Sequence, residues 1–220
     1  MSEDENRRPL KVREGTLPKR IASWLSRRRI TPNQISVTSV LFALLAAACL
    51  LFLPFVDGAV KWVLPLLAGI WIQCRLLCNL FDGMVAIEGG KGTRSGELFN
   101  DIPDRVADPL ILVAAGYATT VVPWASAIGW AAGLGAVMTA YVRTLAASIG
   151  APVVFCGPMA KQHRMAIMTV ACVAVSVEQK TFGSDWSLLV ALIVILVGCI
   201  VTVGRRARLA YKALEAETHA

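Results

Sequence analysis

Residues 79–108 read NLFDGMVAIEGGKGTRSGELFNDIPDRVAD, and this stretch decides how the rest of the chain is interpreted. It begins at the end of one long apolar run, finishes inside the next, and holds six of the fifteen acidic residues. The six are Asp82, Glu88, Glu97, Asp101, Asp104 and Asp108. A carboxylate at membrane depth costs about 2.5–3.5 kcal/mol on insertion scales, so a cluster requires a cation, a metal ion or water beside it. We therefore expect the chemistry of the protein here.

The composition of the 220-residue chain is typical of a helical membrane protein. Hydrophobic residues make up 56% of the chain and the mean hydropathy is +0.61, whereas a soluble domain is about 45–50% apolar. The net charge is +7, and the basic residues gather in the short segments between apolar runs. This pattern favours positive-inside topology and contact with phospholipid headgroups over nucleic-acid binding. We predict an all-α polytopic membrane protein without a nucleic-acid partner.

Six apolar runs predict six transmembrane helices within residues 31–204. The predicted spans are about 35–55, 60–86, 96–121, 125–149, 164–177 and 186–203. Thr31 is suited to be the N-cap of the first span, and Pro32 its first helical residue. Residues 17–30 predict a short basic amphipathic helix in the membrane interface, although a basic flank without a separate role explains them equally well. Residues 1–16 are predicted to be disordered and residues 205–220 to form a cytoplasmic tail, for which a frayed helix is left open.

The distribution of charge predicts the orientation. The polar N-terminus carries no cleavable signal and is expected to stay in the cytoplasm. An even number of spans then puts both termini inside, where most basic residues of the connections also fall, and leaves only Lys61 and Lys180 outside. The acidic stretch faces the cytoplasm in this arrangement. We predict an integral protein of a bacterial inner membrane, for which a homodimer is compatible with the sequence.

The acidic residues form two stripes at helical spacing. The stripe on the third span comprises Glu97, Asp101, Asp104 and Asp108, spaced 4, 3 and 4 residues apart. The stripe on the second span comprises Asn79, Asp82 and Ala86, spaced 3 and 4. A short glycine-rich loop joins the two spans, so the stripes are expected to face each other. Oxygen ligands without histidine or cysteine suit hard cations such as Mg²⁺ or Mn²⁺.

The same residues resemble the motif of a known family. Asn79-x-x-Asp82-Gly83-x-x-Ala86, followed by Gly96 and by Asp104-x-x-x-Asp108, is similar to the motif D-x2-D-G-x2-A-R-x8-G-x3-D-x3-D of the CDP-alcohol phosphatidyltransferases. Two further segments are similar to that family, namely Thr31-Pro32-Asn33-x-Ile35-Ser36 and Gly157-Pro-Met-Ala-Lys161-x-x-Arg164. The resemblance covers residues 31–203.

Three departures from the motif are present. Asn79 replaces the first aspartate, Ile87 replaces the arginine, and Gly96 precedes Asp104 by eight residues rather than four. We align the last two aspartates as Asp104 and Asp108, with one helical turn inserted before them. In the other alignment Asn100 takes the place of the third aspartate. The inserted turn contains Asp101, which is a candidate to replace the carboxylate missing at residue 79.

The resemblance implies an enzyme that transfers a phosphatidyl group from CDP-diacylglycerol to an alcohol and releases CMP. It implies two divalent cations, Mg²⁺ or Mn²⁺, for which the candidate ligands are Asp82, Asp104, Asp101, Asn79 and Asp108. It gives Asp108 a second role as the general base. Gly83, Ala86 and Gly96 are the candidates for contact with CDP. The candidates for contact with an acceptor phosphate, as in glycerol 3-phosphate or inositol phosphate, are Lys161, Arg164 and Arg105. The candidate to replace the cation missing at Ile87 is Arg94 or Arg105.

Two other functions remain open. Residues 100–108 read NDIPDRVAD and also resemble the NDxxDxxxD metal motif of membrane prenyltransferases, although no aspartate occurs between Asp108 and Asp185 to supply a second motif. The acids within spans are also compatible with a divalent-cation transporter, since such residues mark ion pathways. That alternative is weakened because the acids gather at one side of the membrane.

Overall fold

The computed structural model of the protein describes residues 15–28, 30–88, 96–152 and 155–218. These residues form seven α-helices and no strand, which confirms the all-α fold class. The helices are α1 (Thr16–Arg27), α2 (Pro32–Phe52), α3 (Ala59–Glu88), α4 (Gly96–Ala118), α5 (Ala125–Ser148), α6 (Lys161–Thr181) and α7 (Trp186–Thr218). A short 3₁₀ turn, Leu53–Phe55, ends α2. The predicted disorder before residue 15 and the glycine-rich loop at 89–95 lie outside the described residues.

Six of these helices pack as a closed ring in the order α2, α3, α6, α7, α5, α4, and α1 lies against α3. Small residues allow the close packing of the ring. A Cβ atom added to Gly116 would lie 2.9 Å from the carbonyl oxygen of Ala125, and one added to Gly129 would lie 2.8 Å from that of Leu112. The backbones of α4 and α5 therefore touch, as is common where membrane helices associate through small residues.

The outer surface of the ring is apolar. Large aliphatic side chains point outward along its helices, among them Leu41, Leu134, Val170 and Ile200, which are 54–69% exposed. Within the described part of the chain, four helical segments are long and apolar enough to cross a membrane, namely Pro32–Phe55, Ala59–Ala86, Ala125–Ser148 and Trp186–Ala216. α4 and α6 are similarly long but are not in this group, because no 18-residue stretch of either helix is both apolar enough and poor enough in charged residues. The chain is a membrane protein.

Helix boundaries agree with the sequence at α2 and differ at the C-terminal helices. The predicted N-cap is confirmed: the Thr31 hydroxyl accepts from the Gln34 amide at 3.3 Å, and the Thr31 amide donates to Oε1 of Gln34 at 3.0 Å. The fifth predicted span, 164–177, is longer and runs from Lys161 to Thr181. The last helix does not end near residue 203 but continues to Thr218, because the sequence ARLAYKALEAE after the apolar run is rich in strong helix formers.

The predicted amphipathic segment is helical over Thr16–Arg27, and one of its faces is seated on the ring. Ala22 is fully buried, and Leu25 packs against a small cluster that includes Ile35 of α2 and Val85 of α3. The helix therefore lies beside the N-terminal end of α2 and the C-terminal end of α3, where the acidic stretch begins. Its position in a membrane interface stays a prediction.

A buried aspartate connects two elements of the ring. Asp185, just before α7, is 1% exposed. Its carboxylate accepts hydrogen bonds from the backbone amides of Thr120 and Val121 at 3.0 and 3.2 Å and from the Thr120 hydroxyl at 2.6 Å. Charge-assisted bonds of this kind are among the stronger ones in proteins, so Asp185 fixes the connection between α4 and α5 to the start of α7.

Candidate active site

Three aspartates of the predicted stripes lie inside the ring. Asp82 of α3 and Asp104 and Asp108 of α4 are only 3%, 5% and 1% exposed. The backbones of α3 and α4 are not direct neighbours in the ring, because α2 packs against both of them. The two stripes therefore meet through long side chains that cross the interior, and not through close packing of the two helices.

Asp82 is held by neutral hydrogen-bond donors. The Ser36 hydroxyl of α2 donates to Oδ2 at 2.7 Å, and the backbone amide of Gly83 donates to Oδ1 at 2.6 Å. Among the described residues Asp82 forms no ion pair. Lys161 and Asp104 are nevertheless near enough to interact with it electrostatically. Asp82 is thus the carboxylate of the cluster that has not been neutralised by direct contact with a cation.

Arg75 joins the two aspartates of α4. Its side chain is fully buried, and its Nη2 atom lies 2.9 Å from Oδ1 of Asp104 and 2.8 Å from Oδ1 of Asp108. Its Nε and Nη1 atoms are buried without a hydrogen-bond partner among the described residues. A guanidinium stays protonated in proteins, and a buried charge is tolerated only when it is paired. The two aspartates are therefore what stabilises Arg75 in the interior.

Two further cations come from the start of α6. Lys161 forms an ion pair through Nζ with Oδ2 of Asp104. Arg164 donates to Oδ2 of Asp108 from Nη2 at 2.6 Å and from Nε at 3.1 Å. Its Nη1 atom donates to the Met159 carbonyl at 2.7 Å and to the Thr139 hydroxyl at 3.2 Å. All four carboxylate oxygens of Asp104 and Asp108 thus contact a cation.

The loop before α6 positions these two cations. Gly157 has a φ of +108°, and a Cβ atom there would lie 2.6 Å from Cγ2 of Thr202 on α7. The Met159 amide donates to the Thr202 hydroxyl at 3.0 Å. Glycine is required at residue 157 both for the backbone conformation and for the close approach to α7. The loop is consequently fixed to α7 immediately before Lys161.

A second, more exposed group of charges forms the rim of the site. Oδ1 of Asp101 lies 2.8 Å from Nη2 of Arg105 and 3.2 Å from Nη2 of Arg143 on α5. The side chains of Arg105, Arg143 and Lys161 are 24–28% exposed, whereas that of Arg164 is 3% exposed. The guanidinium of Arg143 also lies over the ring of Phe155, 5.5 Å from its centroid. The rim therefore offers three cations that a charged solute can reach.

Other proteins resemble the chain in sequence over most of their length. The inner membrane protein YnbA of Escherichia coli (strain K12) is 25% identical over 159 residues, 70% of this chain and 72% of that protein. The phosphatidylinositol phosphate synthase of Mycobacteroides abscessus is 26% identical over 196 residues, 84% of this chain and 80% of that protein. No family model matches the chain.

Solved structures share the fold. The Mycobacterium tuberculosis phosphatidylinositol phosphate synthase with CDP-DAG bound aligns with a TM-score of 0.68 and 18% identity, over 90% of this chain and 94% of that one. The same enzyme in complex with manganese and citrate aligns with a TM-score of 0.67 and 18% identity, over 88% of each chain. The chain is related to the CDP-alcohol phosphatidyltransferases. The family resemblance inferred from the sequence motif is thereby confirmed.

The residues that match the phosphatidyltransferase motif lie in two places. Asp82, Asp104 and Asp108 come together inside the ring with Lys161 and Arg164, as described above. Gly83 and Ala86 lie beside Asp82 on α3 and are partly buried. Gly96 is the first residue of α4, eight residues or about 12 Å along the axis from Asp104. Asp101 and Arg105 belong to the rim. Arg94 and the side chains of Ile87 and Glu97 lie outside what the structure describes.

Four further side chains complete the site. From the sequence, Arg75 and Arg143 could either pair with acids of the site or reach lipid headgroups, and the structure pairs both with aspartates, whereas Ser36 and Thr139 had no predicted role. Arg75 had a signal, since an arginine inside an apolar span needs an anionic partner and lies four residues before Asn79 on the same helix face. Arg143, near the end of another span, had the same signal. Ser36 and Thr139 had no such signal, because serine and threonine are common in membrane helices.

The aspartates differ in how well they fit a divalent ion. Among the described residues no group of three or more histidine, cysteine, aspartate or glutamate side chains could share a metal ion. The contacts of Asp104 and Asp108 are cations, which repel a metal ion, whereas those of Asp82 are neutral. One turn before Asp82, Nδ2 of Asn79 is buried without a partner. A half-turn of this amide would put Oδ1 in the same place, so Asn79 stays a predicted metal ligand together with Asp82.

Proposed function

We propose that the protein is a membrane enzyme that transfers a phosphatidyl group from CDP-diacylglycerol to an alcohol, with release of CMP. The observation that carries this proposal is the convergence of Asp82, Asp104 and Asp108 with the basic residues of α6 inside one end of the ring. The similarity to phosphatidylinositol phosphate synthases, one of them solved with CDP-DAG bound, supports it. The protein would act in phospholipid biosynthesis.

In this reaction the acceptor hydroxyl oxygen bonds to the β-phosphorus of the CDP-lipid. The bond from that phosphorus to the oxygen bridging the two phosphates breaks, and CMP leaves with the electron pair. The proton of the hydroxyl passes to a base, for which we propose Asp108. Both oxygens of Asp108 lie against guanidinium groups, so the acceptor must replace one of these contacts to reach the carboxylate.

The rim is the proposed position of the charged substrate groups. The diphosphate of the CDP-lipid and the phosphate of an acceptor such as glycerol 3-phosphate or inositol phosphate would meet Lys161 and Arg105, as predicted, and also Arg143. Arg164 is almost fully buried and uses its donors on Asp108, Thr139 and Met159. Its predicted contact with the acceptor stays a prediction, and its contacts favour a role in orienting Asp108.

An apolar cavity beside the cluster suits the lipid part of the substrate. It has a volume of about 400 Å³ and is lined by α1, α2 and α3, including Leu25, Phe42 and Leu77. Two of its lining residues, Ile35 and Phe81, are the direct neighbours in sequence of the hydrogen-bonded pair Ser36 and Asp82. We propose that an acyl chain occupies this cavity while Gly83 and Ala86, with Gly96, contact the CDP group.

The proposed arrangement in the membrane keeps the predicted topology. The two helices that composition does not class as spans have 23 and 21 residues, which is enough to cross a bilayer of about 30 Å. We propose that α2 to α7 all span the membrane, that α1 lies in its interface, and that the site and both termini face the cytoplasm. A homodimer stays a prediction.

A divalent ion, Mg²⁺ or Mn²⁺, belongs to the proposal, and the manganese complex of the structural relative supports it. Such an ion would neutralise charge on the diphosphate. Asn79 and Asp82 are the residues that would hold it, with Ser36 fixing the Asp82 carboxylate through its hydroxyl. The predicted contribution of Asp101 to a metal site loses support, since its Oδ1 lies between Arg105 and Arg143 at the rim.

The test is an assay of the purified protein with CDP-diacylglycerol, Mg²⁺ or Mn²⁺, and a panel of alcohols that includes glycerol 3-phosphate, inositol phosphate and serine. CMP release that depends on the acceptor is expected with at least one of them. Absence of CMP with every acceptor, together with absence of CDP-diacylglycerol binding, would contradict the proposal. Metal transport into vesicles without CMP release would favour the transporter, and transfer of a prenyl group would favour the prenyltransferase.

A further inference from the structure

We propose that Arg75 takes the place of one divalent cation between Asp104 and Asp108, so that this chain binds at most one metal ion where the family motif implies two. The inference rests on the proposed function, which identifies this cluster as a metal and substrate site, but its test does not require catalytic turnover. It concerns a residue outside the family motif, within the apolar part of α3.

The first argument is the position of the Arg75 charge. A single nitrogen, Nη2, contacts one oxygen of Asp104 at 2.9 Å and one of Asp108 at 2.8 Å. A cation that bridges two carboxylates in this way occupies the place that a metal ion would take between them. The side chain is 0% exposed, so the guanidinium does not exchange freely with solvent.

The second argument is the balance of charge around the two aspartates. Asp82, Asp104 and Asp108 contribute three negative charges, and Arg75, Lys161 and Arg164 contribute three positive charges. An ion bound between Asp104 and Asp108 would add two positive charges to a neutral, buried cluster. Uncompensated charge in an interior costs several kcal/mol, on the order of the free energy of unfolding of a whole domain.

The third argument comes from the sequence of α3. Arg75, Asn79 and Asp82 are spaced 4 and 3 residues apart and share one helix face. Relative to the motif, Asn79 removes one negative charge, and Arg75 one turn earlier supplies one positive charge. Ile87 in place of the motif arginine removes one positive charge, so with all three positions counted the site is one unit more positive than the motif. One carboxylate fewer and a guanidinium on the same face of α3 favour fewer bound metal ions.

The experiment counts Mn²⁺ ions bound to the purified full-length protein in detergent without any lipid substrate, by equilibrium binding with spectroscopic detection of free Mn²⁺. The wild type is expected to bind one ion or none. Arg75→Met is expected to bind one ion more, because Asp104 and Asp108 then lack their shared cation. The matched control is Arg143→Met, which removes an equally long cationic side chain from Asp101 at the rim and is expected to leave the count unchanged. Adding Asp104→Asn to Arg75→Met should remove the extra ion.

Two results would overturn the inference: a wild type that binds two ions, or a folded Arg75→Met protein that binds no more ions than the wild type. If Arg75→Met does not fold, the wild-type count alone still decides, since two ions contradict the inference and fewer support it. The count is independent of CMP release. A protein that binds at most one ion but never releases CMP would refute the proposed reaction and leave the role of Arg75 standing.

Discussion

The Ser36 hydroxyl of α2 donates a hydrogen bond of 2.7 Å to Oδ2 of Asp82 on α3, so the first turn of one helix orients the carboxylate of another. A hydrogen bond to a charged group contributes about 1.5–3 kcal/mol, and Ser36→Ala is expected to lower kcat/KM for CMP release about tenfold or more. Ser39→Ala is the control, because that buried hydroxyl donates to the Ser36 carbonyl and does not touch Asp82. Equal losses in the two variants would argue against the positioning of Asp82 by Ser36.

The two alignments of the extra turn in α4 predict different sensitivities of its aspartates. Asp108→Asn should lower CMP release by about 10²–10⁴-fold, the usual contribution of a general base. Asp101→Asn should have a smaller effect, since the Asp101 side chain is 44% exposed and lies at the rim. Asp82→Ala and Asp104→Ala should each abolish turnover. A severe effect of Asp101→Asn with a silent Asp108→Asn would show that the alignment across the inserted turn is wrong.

Gly157→Ala should reduce activity by displacing the loop before α6. The residue has a positive φ, which costs a non-glycine residue about 1–3 kcal/mol, and its new Cβ atom would overlap Thr202. The control is Gly150→Ala, since Gly150 also has a positive φ, of +90°, but no atom within 4 Å of an added Cβ. Both variants should unfold at lower temperature, whereas only Gly157→Ala should lose CMP release at a temperature where it is folded. Equal CMP release by the two variants would contradict the proposal that this loop positions Lys161 and Arg164.

Because α4 and α5 are in contact at residue 129, a substitution there is expected to lower the stability of the protein. Gly129→Ala places a methyl group 2.8 Å from the Leu112 carbonyl oxygen, and overpacking of this kind costs about 1–3 kcal/mol. Gly204→Ala on α7 meets nothing within 4 Å and should be neutral or slightly stabilising, because alanine is the better helix former. Thermal unfolding in detergent measures both. A wild-type Tm for Gly129→Ala would contradict backbone contact at this position.

Asp185 should matter for stability and not for catalysis. Asp185→Ala removes the acceptor of the Thr120 and Val121 amides and should lower the free energy of unfolding by about 1.5–3 kcal/mol. The residue is placed before α7, away from the cluster at the start of α6, so CMP release per folded molecule should match the wild type. Unfolding curves and activity, measured on the same preparation, test both expectations. A loss of activity at unchanged Tm would assign Asp185 a different role.

The sequence was sufficient for the local features of this fold. Helical spacing placed Asp104 and Asp108 on one face, and the polar side chain of Thr31 before Pro32 marked the start of α2, because both depend on residues within one or two turns. Hydropathy placed the end of the last span near residue 203 but left open whether the helix continues, since it marks where apolar residues end and not where the helix ends. The strong helix formers at residues 207–217 extend α7 to Thr218.

The contacts that make the site could not be predicted in the same way. Arg75 and Asp104 are 29 residues apart on helices that are not direct neighbours in the ring, so their contact depends on the order in which all six helices pack. For the same reason Arg164 could be recognised as basic but not as the partner of Asp108, 56 residues earlier. The basic residues were expected to face a substrate, whereas the structure gives most of them an internal aspartate.

The ion pairs of the ring interior also have a consequence for biosynthesis. α3 is synthesised with Arg75 before its partners on α4 exist, and α4 is synthesised with Asp108 before Arg164 on α6 exists. If α3 and α4 both span the membrane, as proposed, each enters the bilayer with a charge that a later helix neutralises. We hypothesise that a nascent chain ending near residue 150 is held in an unfinished state and degraded rapidly, whereas one ending near residue 185 is long-lived. Pulse-chase measurement of the two truncated chains would compare their lifetimes, and equal lifetimes would reject this order of assembly.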